Sequence, residues 1–330
     1  MKKEPLGRSD IKISSIVLGT WAIGGWMWGN ANEKDSLEAI TASLDSGVTT
    51  IDTAPVYGMG YSEELVGKAI KGRRKDVIIA TKCGMRWSDS DKANPHLPKS
   101  SVSIDASPER ILLECEQSLK RLGVDAIDLY QIHWPDPHTP IEDSWKAMVK
   151  LKEQGKVHAI GVSNFSLAQL QEAHSIHPVD SIQSPYSLLR REIEYDILPF
   201  CKENHISFLA YSPLERGMLT GKITLNTQFP KGDHRSDRAL FALENRGNII
   251  KALDLIQPIA ARHHVTLAEV IINCTMHIPG ITGVLVGARN AKQAIENADA
   301  ANFGLTQEER EFILQTLVPT LVKEEAVLNQ

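Results

Sequence analysis

The stretch TTIDTAPVYGMGYSEELVGKAI runs from Thr49 to Ile70. Its first residues read as a buried strand ending at Asp52, and its last part as a helix opening at Ser62. Between them lie an acid, Asp52, a phenol, Tyr57, and the glycines Gly58 and Gly60. The glycine pair invites a phosphate-loop reading. However, the third glycine and the following acid of a dinucleotide fingerprint are missing. The glycines therefore read as a turn, and the acid and phenol as the residues that carry chemistry.

The same strand-to-helix unit recurs along the chain. Strands are expected near Ile16–Gly19, Thr49–Asp52, Val77–Lys82, Ile127–His133, Ala159–Ser163, Ser181–Gln183, Ser207–Tyr211 and Gly283–Val286. Helix starts are marked by Ser107-Pro108-Glu109, which places a cap, a proline at the first helical position and an acid in the first turn. Thr139, Ser166, Thr266 and Thr306 each open a capping-box pattern. Eight such units imply a parallel sheet. At 330 residues, with no linker rich in Pro, Gly or Ser, a closed (β/α)8 barrel, a TIM barrel in one domain spanning 1–330, fits better than an open doubly wound sheet. Two polar segments, Arg86–Ala106 and Gly221–Gly247, exceed the minimal barrel and are expected as loops over one face. Ahead of the first barrel strand, EPLGRSDIKIS (Glu4–Ser14) reads as a β-hairpin that could plug the opposite end.

Composition narrows the function. The chain is 42% apolar and 23% charged, with a net charge of −5 and no basic stripe, which disfavours nucleic acid and anionic membrane surfaces as partners. No apolar run approaches membrane-spanning length, and no apolar segment follows the basic start of a leader peptide. Cys83, Cys115, Cys201 and Cys274 are far apart, which argues against a disulfide framework or zinc site and suits a reducing, cytoplasmic compartment. No metal site is expected.

In a barrel of this kind the site lies where the strands end. Asp52, Lys82, His133, Ser163, Asn164, Gln183, Tyr211 and Ser212 all stand at those ends, with Trp21 just beyond the first. Singly, Asp52 reads as a turn residue, Lys82 as a snorkelling surface lysine, His133 as a satisfied core histidine and Tyr57 as a packing aromatic. Together they place an acid, a base, an imidazole and a phenol at one mouth, where a buried Lys82 and a buried Asp52 would each require the other. A nearby ammonium is expected to lower the phenol's pKa of about 10 by roughly 1–3 units, into the range of a useful general acid. Such a set protonates a carbonyl oxygen but holds no strong nucleophile, so the attacking species must be borrowed. Hydride from a nicotinamide is the natural candidate.

At this point the chain resembles the aldo-keto reductases, and within them the bacterial branch acting on small aldehydes and polyols. The resemblance covers nearly the whole chain and rests on LGTWAIGG (Leu18–Gly25), the Ile51–Ile70 segment, IATK (Ile79–Lys82), IDLYQIHWPD (Ile127–Asp136), GKVHAIGVSNFS (Gly155–Ser166) and VGARN (Val286–Asn290). It implies a catalytic set of Asp52, Tyr57, Lys82 and His133. It also implies a nicotinamide cofactor, with Gly19, Thr20, Trp21 and Asp52 beside it and Ser163, Asn164 and Gln183 holding the carboxamide. Tyr211 would stack on the ring. Ser212, Pro213, Leu214, Arg216 and Gly217 would run along the pyrophosphate, and Gly287, Arg289, Gln293 and Asn297 would take the adenosine end. A helix start with an arginine suits a ribose phosphate, although Arg289 reads equally as a solvated helix-start residue. Gln293 stands where relatives often carry an arginine, and no lysine follows Val286. The implied cofactor is NADPH/NADP+, with NADH as the alternative. The substrate pocket would be walled by Trp21, Tyr57, Trp87, His133 and Trp134, with Trp26 and Trp28 nearby either joining it or merely packing.

The expected activity is reversible NADPH-dependent reduction of small aldehydes or ketones, sugar- or polyol-derived carbonyls included, with Tyr57 as general acid. The expected protein is a monomer or weak homo-oligomer. A nicotinamide-binding regulatory subunit of the channel-associated type, with little turnover, is the alternative. A phosphate-handling barrel isomerase is disfavoured because Tyr211 and the carboxamide contacts would have no purpose in it.

Overall fold

Runs such as IVLG, IIATKC and IDLYQI are buried almost throughout, as expected of parallel strands covered on both faces. The computed structural model describes residues 1–28, 32–88, 101–229, 233, 235–236 and 238–318. Its strands, in chain order, are β1 (Lys3–Pro5), β2 (Lys12–Ser14), β3 (Ile16–Gly19), β4 (Thr50–Asp52), β5 (Ile78–Cys83), β6 (Met85–Arg86), β7 (Ser103–Ile104), β8 (Ile127–Ile132), β9 (Val157–Ser163), β10 (Ser181–Pro185), β11 (Ser207–Tyr211) and β12 (Ile281–Gly287). Eight of them close into a parallel barrel in the order β10-β11-β12-β3-β4-β5-β8-β9. Each expected barrel strand is present within two residues at either end.

The helices are α1 (Trp21–Gly24), α2 (Glu33–Asp45), α3 (Tyr61–Ala69), α4 (Pro108–Leu122), α5 (Ile141–Glu153), α6 (Leu167–Ile176), α7 (Ile197–Asn204), α8 (Leu243–His263), α9 (Leu267–Met276), α10 (Ala291–Asp299) and α11 (Gln307–Leu317). Much of the expected Arg86–Ala106 loop and part of Gly221–Gly247 lie outside the described residues. Among the described residues, no helix is long and apolar enough to cross a membrane.

The alternation of strand side chains decides where chemistry can sit. Val17, Ala80, Leu129, Ala159, Leu209 and Leu285 fill the barrel interior, while Ile16, Leu18, Ile79 and Tyr130 pack outward against the helices. Counting by twos towards the strand ends from Ala80 and Leu129 gives Lys82, then Gln131 and His133. The same count gives Ser163 on β9 and Tyr211 on β11.

At the other end the hairpin closes the barrel. Leu6 and Ile13 are buried in the interior cluster, and fully burying such a side chain contributes about 1.5–3 kcal/mol. Gly7, at φ +56°, presses against the Asp180 backbone so closely that a Cβ could not be accommodated. Its amide donates to Ser207 Oγ at 2.8 Å, and Ser207 Oγ donates to Pro5 O at 3.0 Å.

Three predicted capping boxes form in full, at Ser166, Thr266 and Thr306. Ser107 stands at the N-cap of α4, with Pro108 and Glu109 in its first turn as expected, but neither it nor Thr139 makes a side-chain capping bond. Ser107 Oγ donates to Asp105 Oδ1 at 2.7 Å, and Thr139 Oγ1 donates to Asp136 Oδ2 at 2.8 Å, leaving Pro140 at the N-cap position of α5. In both cases an ionised carboxylate within three residues offers the hydroxyl a stronger acceptor, so the hydroxyl turns away from the helix amides.

Candidate active site

Tyr57 is placed by a close backbone contact. Gly24, at the end of α1, approaches so near that a Cβ there would lie 2.6 Å from Tyr57 carbonyl atoms, and Gly58, at φ +72°, meets Gly24 in return. The glycines of the opening stretch are thus turn and contact residues. Helix α3 begins at Tyr61 behind an N-cap Gly60, one residue earlier than expected. Ser62 does not cap it. Its hydroxyl donates to Thr20 Oγ1 at 2.7 Å and lies 2.9 Å from Thr53 Oγ1. Glu63 accepts from Thr81 Oγ1 and Arg121 Nε, each at 2.6 Å. The first turn of α3 is therefore tied to the ends of β3, β4 and β5.

The expected cluster assembles at those ends. Lys82 Nζ, fully buried, donates to Asp52 Oδ1 at 2.7 Å, to Thr53 O at 3.0 Å and to Tyr57 Oη at 3.2 Å. Gln183 Nε2 donates to the other Asp52 oxygen at 2.8 Å. The His133 ring stands edge-on to Tyr57 at 5.8 Å between centroids. Nothing in the sequence marked the Thr53 carbonyl as a partner of Lys82, because a backbone acceptor leaves no residue-type signal.

The phenol's acidity departs from expectation. Burial, and then the Asp52 carboxylate, hold the Tyr57 hydroxyl well above its ordinary value of 10 rather than below it. The ammonium that was to lower it sits 2.7 Å from Asp52, so its field at the phenol is largely cancelled while the desolvation remains. Burial likewise lowers Lys82, against the pull of Asp52. Burial and then Lys82 push His133 well below 6.5, leaving a neutral imidazole at neutral pH.

Asn164, at φ +61°, spans the mouth. Its Nδ2 donates to His133 O at 2.9 Å and Ser163 Oγ at 3.1 Å, and its Oδ1 accepts from Tyr211 Oη at 2.8 Å. On the other side Gly287, Gly19 and Asp52 lie in register across β12, β3 and β4. This brings the start of α10 to the same rim. There Asn290 caps the helix, Gln293 Oε1 accepts from Arg289 N at 2.9 Å, Asn297 Nδ2 donates to Gly287 O at 3.1 Å, and the Arg289 side chain is exposed.

Of the tryptophans, Trp21 stacks on Tyr57 at 6.3 Å, and Trp28 meets Trp21 edge-on at 5.5 Å. Trp87 packs beside the cluster of Trp26, Ala54, Val56 and Met59. Trp26 is 5% exposed and serves as packing. Trp134, next to His133, is half-buried.

Beyond β11 the chain turns through Ser212 and Leu214 to a tight segment containing Arg216. The Nε and Nη1 atoms of Arg216 are buried without hydrogen-bond partners, which suits an incoming anionic group such as a dinucleotide phosphate. Two residues there escaped the sequence reading. Arg190 and Glu215 form a two-pronged ion pair at 2.8 and 3.0 Å between the loops after β10 and β11. They are 25 positions apart in two irregular segments, so no spacing announces them.

No group of three His, Cys, Asp or Glu among the described residues could hold a metal ion. The arrangement offers a proton donor beside an ammonium and a neutral imidazole, with no activated nucleophile.

Comparison with known proteins places the chain in a family. The model of the Aldo/keto reductase family matches residues 15–315. The chain is 40% identical over 324 residues to the aldo-keto reductase YhdN of Bacillus subtilis (strain 168), covering 97% of this chain and 95% of that protein. It is 37% identical over 312 residues to the NADH-specific methylglyoxal reductase of Escherichia coli (strain K12), covering 93% and 95%. The solved structure of the glycerol dehydrogenase AKR11B4 from Gluconobacter oxydans superposes with a TM-score of 0.89 at 37% identity, covering 99% of this chain and 98% of that one. The chain belongs to the aldo/keto reductase family of NAD(P)H-dependent oxidoreductases.

Proposed function

We propose that this protein reduces small aldehydes and ketones, of the size of methylglyoxal and the carbonyls related to glycerol, to the corresponding alcohols, with Tyr57 as the proton donor and NADPH preferred over NADH. The observation that carries the reading is the buried chain from Asp52 through Lys82 Nζ to Tyr57 Oη. A bound reduced nicotinamide supplies the hydride. The chain's own residues do the rest. Tyr57 stays protonated until the carbonyl oxygen gains negative charge, and then gives up its proton to that oxygen. Lys82 favours the resulting phenolate, and Asp52 and the Thr53 carbonyl keep the ammonium aimed. His133, uncharged, orients the carbonyl oxygen by a hydrogen bond. Trp21 and Trp28 exclude water from one side, which suits small substrates. Ser163, Asn164, Gln183 and Tyr211 would hold the nicotinamide end, Arg216 and its loop the phosphates, and Arg289 a ribose phosphate.

The preference for NADPH rests on the exposed Arg289 at the start of α10. The size class is supported by the names of the two relatives, one a methylglyoxal reductase and one a glycerol dehydrogenase. The test is loss of reduced-cofactor absorbance with NADPH and with NADH against methylglyoxal, glyceraldehyde, dihydroxyacetone and a sugar panel, and gain of absorbance with glycerol and oxidised cofactor. Turnover of a small carbonyl is expected. Tight cofactor binding with no turnover on any of them would favour the regulatory-subunit reading instead.

A further inference from the structure

The segment after β11 holds an unusual backbone. Ser212, Glu215 and Arg216 all lie in the left-handed region, at φ 58°, 45° and 53°, and none is glycine. An L side chain resists that conformation, so surrounding contacts must over-determine it. Glu215 provides them. Its side chain is 1% exposed, Oε1 accepts from Arg190 Nε at 2.8 Å and from Ser187 Oγ at 2.6 Å, and Oε2 accepts from Arg190 Nη2 at 3.0 Å. Ser187 and Arg190 belong to a turn after β10 that is closed on itself, each amide donating to the other's carbonyl, at 3.3 and 3.1 Å. A planar guanidinium fork on a rigid turn fixes the carboxylate in direction as well as distance.

The next residue, Arg216, carries the orphaned Nε and Nη1. Glu215 is already committed to Arg190, and Arg190 and Arg238 add to the positive field around Arg216. Among the described residues no carboxylate bonds to Arg216, although the Glu215 charge offsets part of that field, and the guanidinium is left to receive an incoming anion. We propose that Glu215, gripped by Arg190 and Ser187, is a positioning residue that preassembles 212–217, with Arg216, to receive the phosphates of the dinucleotide. This rests on the cofactor reading above. It adds that residues of the neighbouring loop, not touching the ligand, set cofactor affinity by removing the ordering cost of binding.

The test is titration of protein fluorescence with NADPH, and separately NADH, for wild type, Glu215→Gln and Ser187→Ala, together with steady-state turnover. Glu215→Gln is expected to raise Kd for both cofactors about ten- to a hundredfold, and Ser187→Ala about two- to fivefold. Turnover at saturating cofactor and KM for the carbonyl should move by less than about threefold. If Glu215→Gln fails to fold, Ser187→Ala decides alone. Unchanged cofactor Kd in the folded variants, or a fall in kcat with Kd intact, would overturn the proposal. A wild type that binds neither cofactor would overturn the underlying cofactor reading and this with it.

Discussion

The two ends of the barrel solve opposite problems with the same strands. At the base, apolar side chains of the hairpin meet apolar strand residues, and the tight backbone approach is made by a glycine, Gly7. At the mouth, a lysine and an aspartate are buried at 0% and 2% exposure. There the left-handed backbone falls on Met27, Met59, Asn164, Ser212, Glu215 and Arg216 as well as on glycine. Replacing a buried ion pair with apolar residues is often neutral or stabilising, so such a pair is weak evidence of a contribution to stability. Each left-handed non-glycine residue costs on the order of 1–3 kcal/mol. The base holds the fold together, and the mouth is carried by it.

That contrast can be broken experimentally. The largest expected effect is at the mouth. Tyr57→Phe should lower carbonyl reduction by about 10²–10⁴-fold while cofactor binding and the unfolding midpoint stay as in wild type. Retained reduction would remove Tyr57 from the proton-donor role, and a collapse of stability would show that the mouth also supports the fold. At the base the reverse is expected. Leu6→Ala should cost about 2–5 kcal/mol in urea unfolding, with kcat and both KM values close to wild type at a temperature where the variant is folded.

A smaller effect belongs to the rim. Arg289→Ala should raise Kd for NADPH about tenfold and leave NADH unchanged, since a lost charge-assisted contact to the extra phosphate has no counterpart in NADH. Equal loss for both cofactors would assign Arg289 elsewhere. The last expectation is an absence of change with pH. His133 is held well below 6.5 and so stays neutral above that value, while Tyr57 is held well above 10 and so stays protonated up to it. The kcat/KM for the carbonyl with reduced cofactor should then be flat through neutrality and fall at alkaline pH, as the Lys82 ammonium, lowered by burial, loses its proton and as pH rises through the raised tyrosine value. A limb near neutrality in the measured profile would mean that another group, or a cofactor-induced shift, governs proton transfer.

The barrel was legible because its strands and helix starts leave local marks. Short apolar runs ending in small or polar residues, capping boxes at Ser166, Thr266 and Thr306, and the GRS turn of the hairpin each lie within a few consecutive residues. The gathering of Asp52, Lys82 and His133 at the mouth followed from their positions at strand ends, whereas their inward parity emerged from the structure. What stayed hidden depends on partners distant in sequence or on the backbone. Asp136 and Asp105 draw the hydroxyls of Thr139 and Ser107 away from the helix amides, the Thr53 carbonyl holds Lys82, and Arg190 meets Glu215 across two loops. The direction of the Tyr57 shift was misjudged for a related reason. A pairwise view of phenol and ammonium omits both the carboxylate that neutralises the ammonium and the loss of water around all three.

The hairpin's fastening carries a temporal consequence. Gly7 and Ser207, joined by a hydrogen bond, are 200 positions apart, and β3 acquires its outer neighbour only when β12 exists. At ribosomal rates of about 5–20 residues per second, the earliest segment waits on the order of 10–40 s after its own synthesis before a seat for it emerges. During that interval Leu6 and Ile13 have no permanent shelter, and nascent-chain escorts would find their binding stretch there.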